Sequence, residues 1–265
     1  MESFSIITDT KEMQNTLLEN VKIEVGSEAA VEIGENSVVL KSYNENSKEK
    51  LLCAVSNSIV EQYRNKLISK LINQNYFYLN LPDKKNIFNK AIDYAYNEAA
   101  CNQLVNARLK EYLSTTDSVM IDGFVNFRLG EYQSELEELI DKAVDDFMIE
   151  KEYKEFIALL KYFVEIQNPK FNVINIVPYP GGYSIYNEVK DDITAMCVKD
   201  FIRDEKTNKI DSDDLLISVL ITTAPRKILL HKGERIENTE LLSTIKQVFF
   251  KKTVFCKGCE FCNRL

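Results

Sequence analysis

The chain has 265 residues, 45% of them hydrophobic, a formal net charge of −8 and a single histidine. That is enough chain and enough apolar surface for one large domain or two small ones. Nucleic acid and anionic membrane both demand clustered Lys and Arg, so the acidic balance excludes them as main partners.

No stretch approaches the run of about 20 apolar residues that crosses a bilayer. The N-terminus, MESFSIITDT, lacks the basic region and apolar core of a secretory signal. A cytoplasmic location follows, and there the six cysteines are thiols or metal ligands rather than disulfides.

Residues 3–8 (SFSIIT) predict a short strand, and Asp9 or Thr10 caps a helix running to about Glu19. Three β-rich runs follow, Val21–Val25, Ala30–Ile33 and Ser37–Tyr43, with Gly26 and Gly34 at turns. Together they make a small βαββ unit that needs helices to cover its apolar face. From Ser47 to about Asn75 the apolar residues take helical spacing. After Leu81-Pro82-Asp83 a further helix runs to about Leu113. Cys53 and Cys101 fall inside these stripes and are read as small buried hydrophobes.

Ser114 to Asp122 reads as a linker, with Asp122-Gly123 as a turn. Beyond it, Leu129, Tyr132, Leu136, Leu139, Ile140, Ala143, Val144 and Phe147 trace one face of a helix, and a second apolar set runs from Tyr153 to Val164. With no Gly or Pro between them, one bent helix and two helices are both compatible. Eleven acids and four lysines lie between Glu131 and Glu165, a net of −7, which leaves −1 for the rest of the chain. Such a face is commonly just solvated, though it also suits a basic partner or a cation. The adjacent pair Asp145-Asp146 diverges by about 100° around a helix and is no metal site by itself. Arg128, the lone cation among Phe124, Phe127 and Leu129, suits an ion pair with Asp122 or Glu131, or else a small anionic ligand.

The run Ile121 to Leu129 (IDGFVNFRL), the segment Glu135 to Phe147 (ELEELIDKAVDDF) and the EKEYKEF and LLKYFVEIQ runs after it resemble the YtxC family of sporulation-associated proteins. The resemblance covers about fifty residues specifically and the C-terminal hundred more loosely. It implies an association with spore-forming bacteria and no particular reaction.

After Pro169, Phe171–Val177 and Tyr183–Asn187 flank a Pro/Gly turn and predict a hairpin. Asp191 to Arg203 predicts a helix, and Asp204 to Lys209 an exposed loop. Asp211 to Asp214 opens another helix, with strand as its competitor because of the β-branched ISVLITT. Lys227–His231 then reads as a strand, Asn238 or Thr239 caps a helix, and Thr253–Cys256 is a second strand. Strand, helix and strand with short connections make a right-handed βαβ crossover with parallel strands. Parallel strands end on the same edge of a sheet, so His231 and Cys256 meet at the edge where α/β proteins commonly hold ligands.

The tail completes the constellation: Cys256, Cys259 and Cys262 form a C-x2-C-x2-C array with Gly258 free to turn sharply. Structural zinc takes four ligands, and a [4Fe–4S] cluster four thiolates. His231 supplies the fourth donor for zinc and Cys197 is the best fourth thiol. A redox C-x-x-C pair and a frayed tail of free thiols are the competing readings. No other catalytic constellation stands out, since a triad would have to use His231 without a nucleophile motif and the eight glycines form no phosphate loop.

The expected fold is α+β. It has an N-terminal βαββ unit with two long helices (1–117), an acidic amphipathic segment (118–168) and a C-terminal α/β unit with a cysteine tail (169–265). The expected role is that of a non-enzymatic accessory or regulatory protein that meets a protein partner and takes a metal at its tail. Redox or iron–sulfur chemistry at Cys256, Cys259 and Cys262, and anion binding at Arg128, are the alternatives.

Overall fold

The structure is a computed structural model that describes residues 2–26, 29–97, 100–199 and 211–263, with the backbone alone at 97, 100, 101 and 263. It is α+β, as expected, and divides into two compact units, Met1–Ile149 and Glu150–Leu265.

In the first unit β1 (Glu2–Ile7) buries Phe4 and Ile6 by simple alternation. Helix α1 (Lys11–Glu24) starts at Thr10, whose hydroxyl accepts from the Met13 amide. Strands β2 (Ala29–Ile33) and β3 (Ser37–Ser42) pair antiparallel, and β3 pairs antiparallel with β1. The expected strand at Val21–Val25 is instead the last turn of α1. Met13, Leu17 and Val21 continue one stripe at i, i+4, i+8. Ile23, which alternation would bury beside Val21 and Val25, is 78% exposed.

Helix α2 (Glu45–Asn75) is fixed at its start by a capping box: Asn44 accepts from the Ser47 amide at 2.8 Å, and Ser47 Oγ accepts from the Asn44 amide at 3.1 Å. Helices α3 (Leu81–Asn97) and α4 (Ala100–Leu113) both pack on α2. The supposed linker holds a fourth strand, β4 (Ser118–Met120), parallel to β1, which gives the order β2-β3-β1-β4. Three residues are too few to show a period, and it is the β1 edge that makes them a strand. Asp122-Gly123 is likewise no turn. It lies in the first turn of α5 (Ile121–Arg128), where Ile121, Phe124 and Val125 are buried and Asp122 accepts from the Tyr63 hydroxyl at 2.7 Å.

A single helix, α6 (Gly130–Ile166), follows. Leu129 to Phe147 join the core of the first unit, whereas Ile157, Leu160 and Val164 belong to that of the second. Two carboxylates of its acidic face are not merely solvated: Asp141 accepts from Tyr76 at 2.5 Å and Asp146 from Tyr94.

In the second unit β5 (Val173–Tyr179) and β6 (Gly182–Tyr186) form the expected hairpin, turning through Gly181 at φ +93°. Helix α7 (Thr194–Val198) occupies part of the expected 191–203 helix. Phe201 and the 204–209 loop lie outside the described residues. Helix α8 (Ser212–Thr223) is a helix and not a strand. Leu216, Val219, Leu220 and Thr223 are buried at helical spacing, and the Thr222 and Thr223 hydroxyls return to carbonyls one turn earlier. Strand β7 (Lys227–Leu230), a short 3-10 turn (Gly233–Arg235), helix α9 (Thr239–Val248) and strand β8 (Thr253–Phe255) complete the crossover. Both β5–β7 and β7–β8 are parallel, and the sheet order is β6-β5-β7-β8. A last short helix, α10 (Glu260–Asn263), follows the tail turn.

Candidate metal centre

The sheet carries the site. The ladder continues one residue past β7 and one past β8: the His231 amide donates to the Ile176 carbonyl at 2.9 Å and the Cys256 amide to the Leu230 carbonyl at 2.8 Å. Two candidate ligands are thus held by sheet hydrogen bonds rather than by a loose tail. Gly258, at φ +117°, then folds the chain back, a conformation closed to side chains with a Cβ. The turn sets Cys259 just ahead of α10, and α10 carries Cys262.

The donor atoms converge. Cys262 Sγ lies 3.1 Å from His231 Nδ1, 3.5 Å from Cys259 Sγ and 3.6 Å from Cys256 Sγ, and Cys259 Sγ lies 3.6 Å from His231 Nδ1. All four ligand atoms fall within 4.8 Å of one another. The edge of a tetrahedron is about 1.63 times its centre-to-corner distance. Zinc bonds of about 2.3 Å to sulfur and 2.0–2.1 Å to nitrogen therefore imply ligand separations of roughly 3.8 and 3.6 Å. The four residues are close enough, and of the right kind, to hold one ion.

Around His231 the polarity is determined. Its Nε2 lies 3.0 Å from Asn175 Oδ1, Asn175 Nδ2 donates to the Asn187 carbonyl at 2.8 Å, and Lys190 Nζ donates to the same Oδ1. An ammonium on one side of the amide and a carbonyl on the other fix which end is oxygen. Nε2 must then carry the proton, and the Nδ1 lone pair faces the thiols. Burial, and then the Lys190 ammonium, lower the His231 pKa and favour the neutral ring that a ligand needs. Asn175 is fully buried. The only trace of it in the sequence is one amide inside the apolar VINIV run of β5.

Electrostatics separate the thiols. The Cys262 amide donates to the Cys259 sulfur and lowers that thiol's pKa, whereas burial and the neighbouring sulfurs push Cys262 up to about 11. Cys262 and His231 are buried, Cys256 and Cys259 half-buried. Phe261 closes one side, edge-on to His231 at 5.4 Å, with the Lys190 ammonium 4.7 Å from the centre of its ring.

The remaining candidates lie elsewhere. Cys197 sits on α7, half-buried against the second core, and is not among the four grouped donors. Cys53, also half-buried, accepts from Asn57 on α2. The Cys101 side chain lies outside those described. Arg128 ends α5, exposed, 5.8 Å from the Tyr112 ring. The two carboxylates expected to pair with it have other partners, because Glu131 pairs with Arg108 and Asp122 with Tyr63.

The fold and site together define an α+β protein with a Cys3His constellation on a parallel sheet edge. No helix among the described residues is long and apolar enough to cross a membrane. The chain belongs to the YtxC-like family, whose model matches residues 49–254, a span that includes Arg128, Asn175 and His231 and stops short of Cys256. It is similar to the "Uncharacterized protein YtxC" of Bacillus subtilis (strain 168), at 26% identity over 132 residues, 49% of this chain and 45% of that protein. The match thus spans about half the length of the relative. No solved structure matches.

Proposed function

We propose that this chain is a non-enzymatic, cytoplasmic accessory protein whose C-terminal unit is clamped by one zinc ion on Cys256, Cys259, Cys262 and His231. The observation that carries this reading is the convergence of four donors within 4.8 Å. An iron–sulfur cluster is a body of several atoms and holds its thiolates farther apart, so the compact set favours a single ion over a cluster. A mixed sulfur and imidazole set of four suits zinc. Four protein donors leave no position for substrate, which favours a structural centre over a catalytic one. Bound to a cation, the Cys262 thiol, which burial and the neighbouring sulfurs push up to about 11, would ionise. A role in spore formation, which the resemblance to sporulation-associated proteins implies, belongs to the same proposal and is tested by counting heat-resistant spores after deletion of the gene.

Cobalt(II) reconstitution tests the centre. Tetrahedral S3N coordination predicts intense visible ligand-field bands, shifted when His231→Ala removes the nitrogen, and a thiolate charge-transfer band, weakened when Cys262→Ser removes a sulfur. A faint six-coordinate spectrum in the wild-type chain overturns the assignment.

A further inference from the structure

The C-terminal part of α6 has two apolar faces, and the second unit's core uses one of them. Ile157, Leu160 and Val164 are at most 8% exposed. About a third of a turn away, Phe156, Leu159, Phe163 and Ile166 form a second stripe, exposed by 50%, 51%, 42% and 60%, with Tyr162 beside it at 57%. A helix with so broad an apolar surface is ordinarily covered on more than one side.

The stripe itself indicates what covers it. Its spacing is three, four, three, which reads the same in both directions. When a copy of the helix is laid against it antiparallel, Phe156 comes level with Ile166 of the other copy and Leu159 with Phe163. Each aromatic ring then meets an aliphatic side chain, about a two-fold axis near residue 161. Such a face is self-complementary, as an isologous dimer requires. No like charges oppose one another at the ends of the seam, since Glu155 comes level with Gln167. Half of an aromatic side chain is about 100 Å². Three half-exposed aromatic side chains and two aliphatic ones of slightly smaller area bury about 500 Å² per copy and about 1,000 Å² per pair, the lower bound for a specific interface.

We propose that this face of α6 is a homodimer interface in which two copies of the chain pair their Phe156–Ile166 helices antiparallel. It does not depend on the metal. Light scattering or sedimentation of the full chain at tens of micromolar tests it. The wild type should run at twice the 30.6 kDa chain mass. Leu159→Glu and Phe163→Lys should each halve that mass with the far-ultraviolet circular dichroism unchanged. The double variant should recover the dimer, because in the antiparallel register each introduced glutamate faces the introduced lysine of the other copy. Should glutamate perturb the fold, Leu159→Gln tests the same contact. A monomeric wild type or single variants that remain dimeric would overturn the proposal, and a double variant that stays monomeric would overturn the antiparallel register.

Discussion

Replacing Asn175 by leucine keeps the branched shape of the side chain, though two methyls are bulkier than the amide ends, and removes both of its hydrogen-bonding ends. Asn175 is fully buried and touches none of the sulfurs in any bond described above, so its effect on metal must pass through His231. The substitution leaves Nε2–H without its acceptor, and no water replaces it at a site with no exposure. It also releases Lys190, whose backbone sits at φ +71° and whose ammonium bonds the same oxygen. Loss of an outer-shell partner of a ligating histidine typically weakens metal binding 10–100-fold, or about 1.4–2.7 kcal/mol. Full burial puts the expected loss at the upper end, about 100-fold. Asn175→Asp, which keeps the acceptor for both His231 and Lys190, should retain most of the affinity. Competition against a chromophoric zinc chelator measures all three proteins. A leucine variant that binds zinc as tightly as the wild type would refute the role given to Asn175 and, with it, the assignment of Nδ1 as the donor.

Gly258→Ala should weaken zinc as well, because a Cβ at φ +117° costs about 1–3 kcal/mol of strain in the turn that joins Cys256 to Cys259. Chelator competition reads that loss too. Cys262→Ser should abolish stoichiometric zinc and lower the midpoint of thermal unfolding, whereas adding a strong chelator to this variant should change nothing further. In the first unit, Asn44→Ala removes the side-chain half of the α2 capping box and should cost about 1 kcal/mol in urea denaturation without affecting metal content. Tyr63 supplies a pH test. Burial and then the Asp122 carboxylate raise its pKa, so its contribution to stability is complete below the ordinary tyrosine value near 10 and is lost as pH rises towards the folded value. Ultraviolet titration should show it ionising after the exposed tyrosines, together with Tyr76 and Tyr183, which are raised in the same way, and Tyr63→Phe should reduce that late phase by one tyrosine.

The second unit is the more legible from sequence. Its strands are separated by capped helices and turn residues, so β7, α9 and β8 can be placed, and parallelism alone then brings His231 beside Cys256. The sequence leaves α8 open between helix and strand, because β-branched residues suit a strand equally well until their hydroxyls find the carbonyls of the preceding turn. In the first unit the misreadings share one cause, which is that short segments take their structure from neighbours. Val21-Lys-Ile-Glu-Val25 alternates perfectly, yet α1 carries it as a final helical turn. Val119 is a strand residue only because β1 offers an edge, and Asp122 enters a helix despite the glycine after it. Asn175 escapes sequence reasoning because its importance lies in a contact 56 residues away, which no local pattern encodes.

In the proposed clamp, one ion joins the tail to the sheet. Metal content per chain, measured by mass spectrometry on untagged protein purified without oxygen, tests it most directly. One zinc per chain is expected in the wild type and none in Cys262→Ser. A wild-type protein free of metal, or a brown one with several irons per chain, would contradict it.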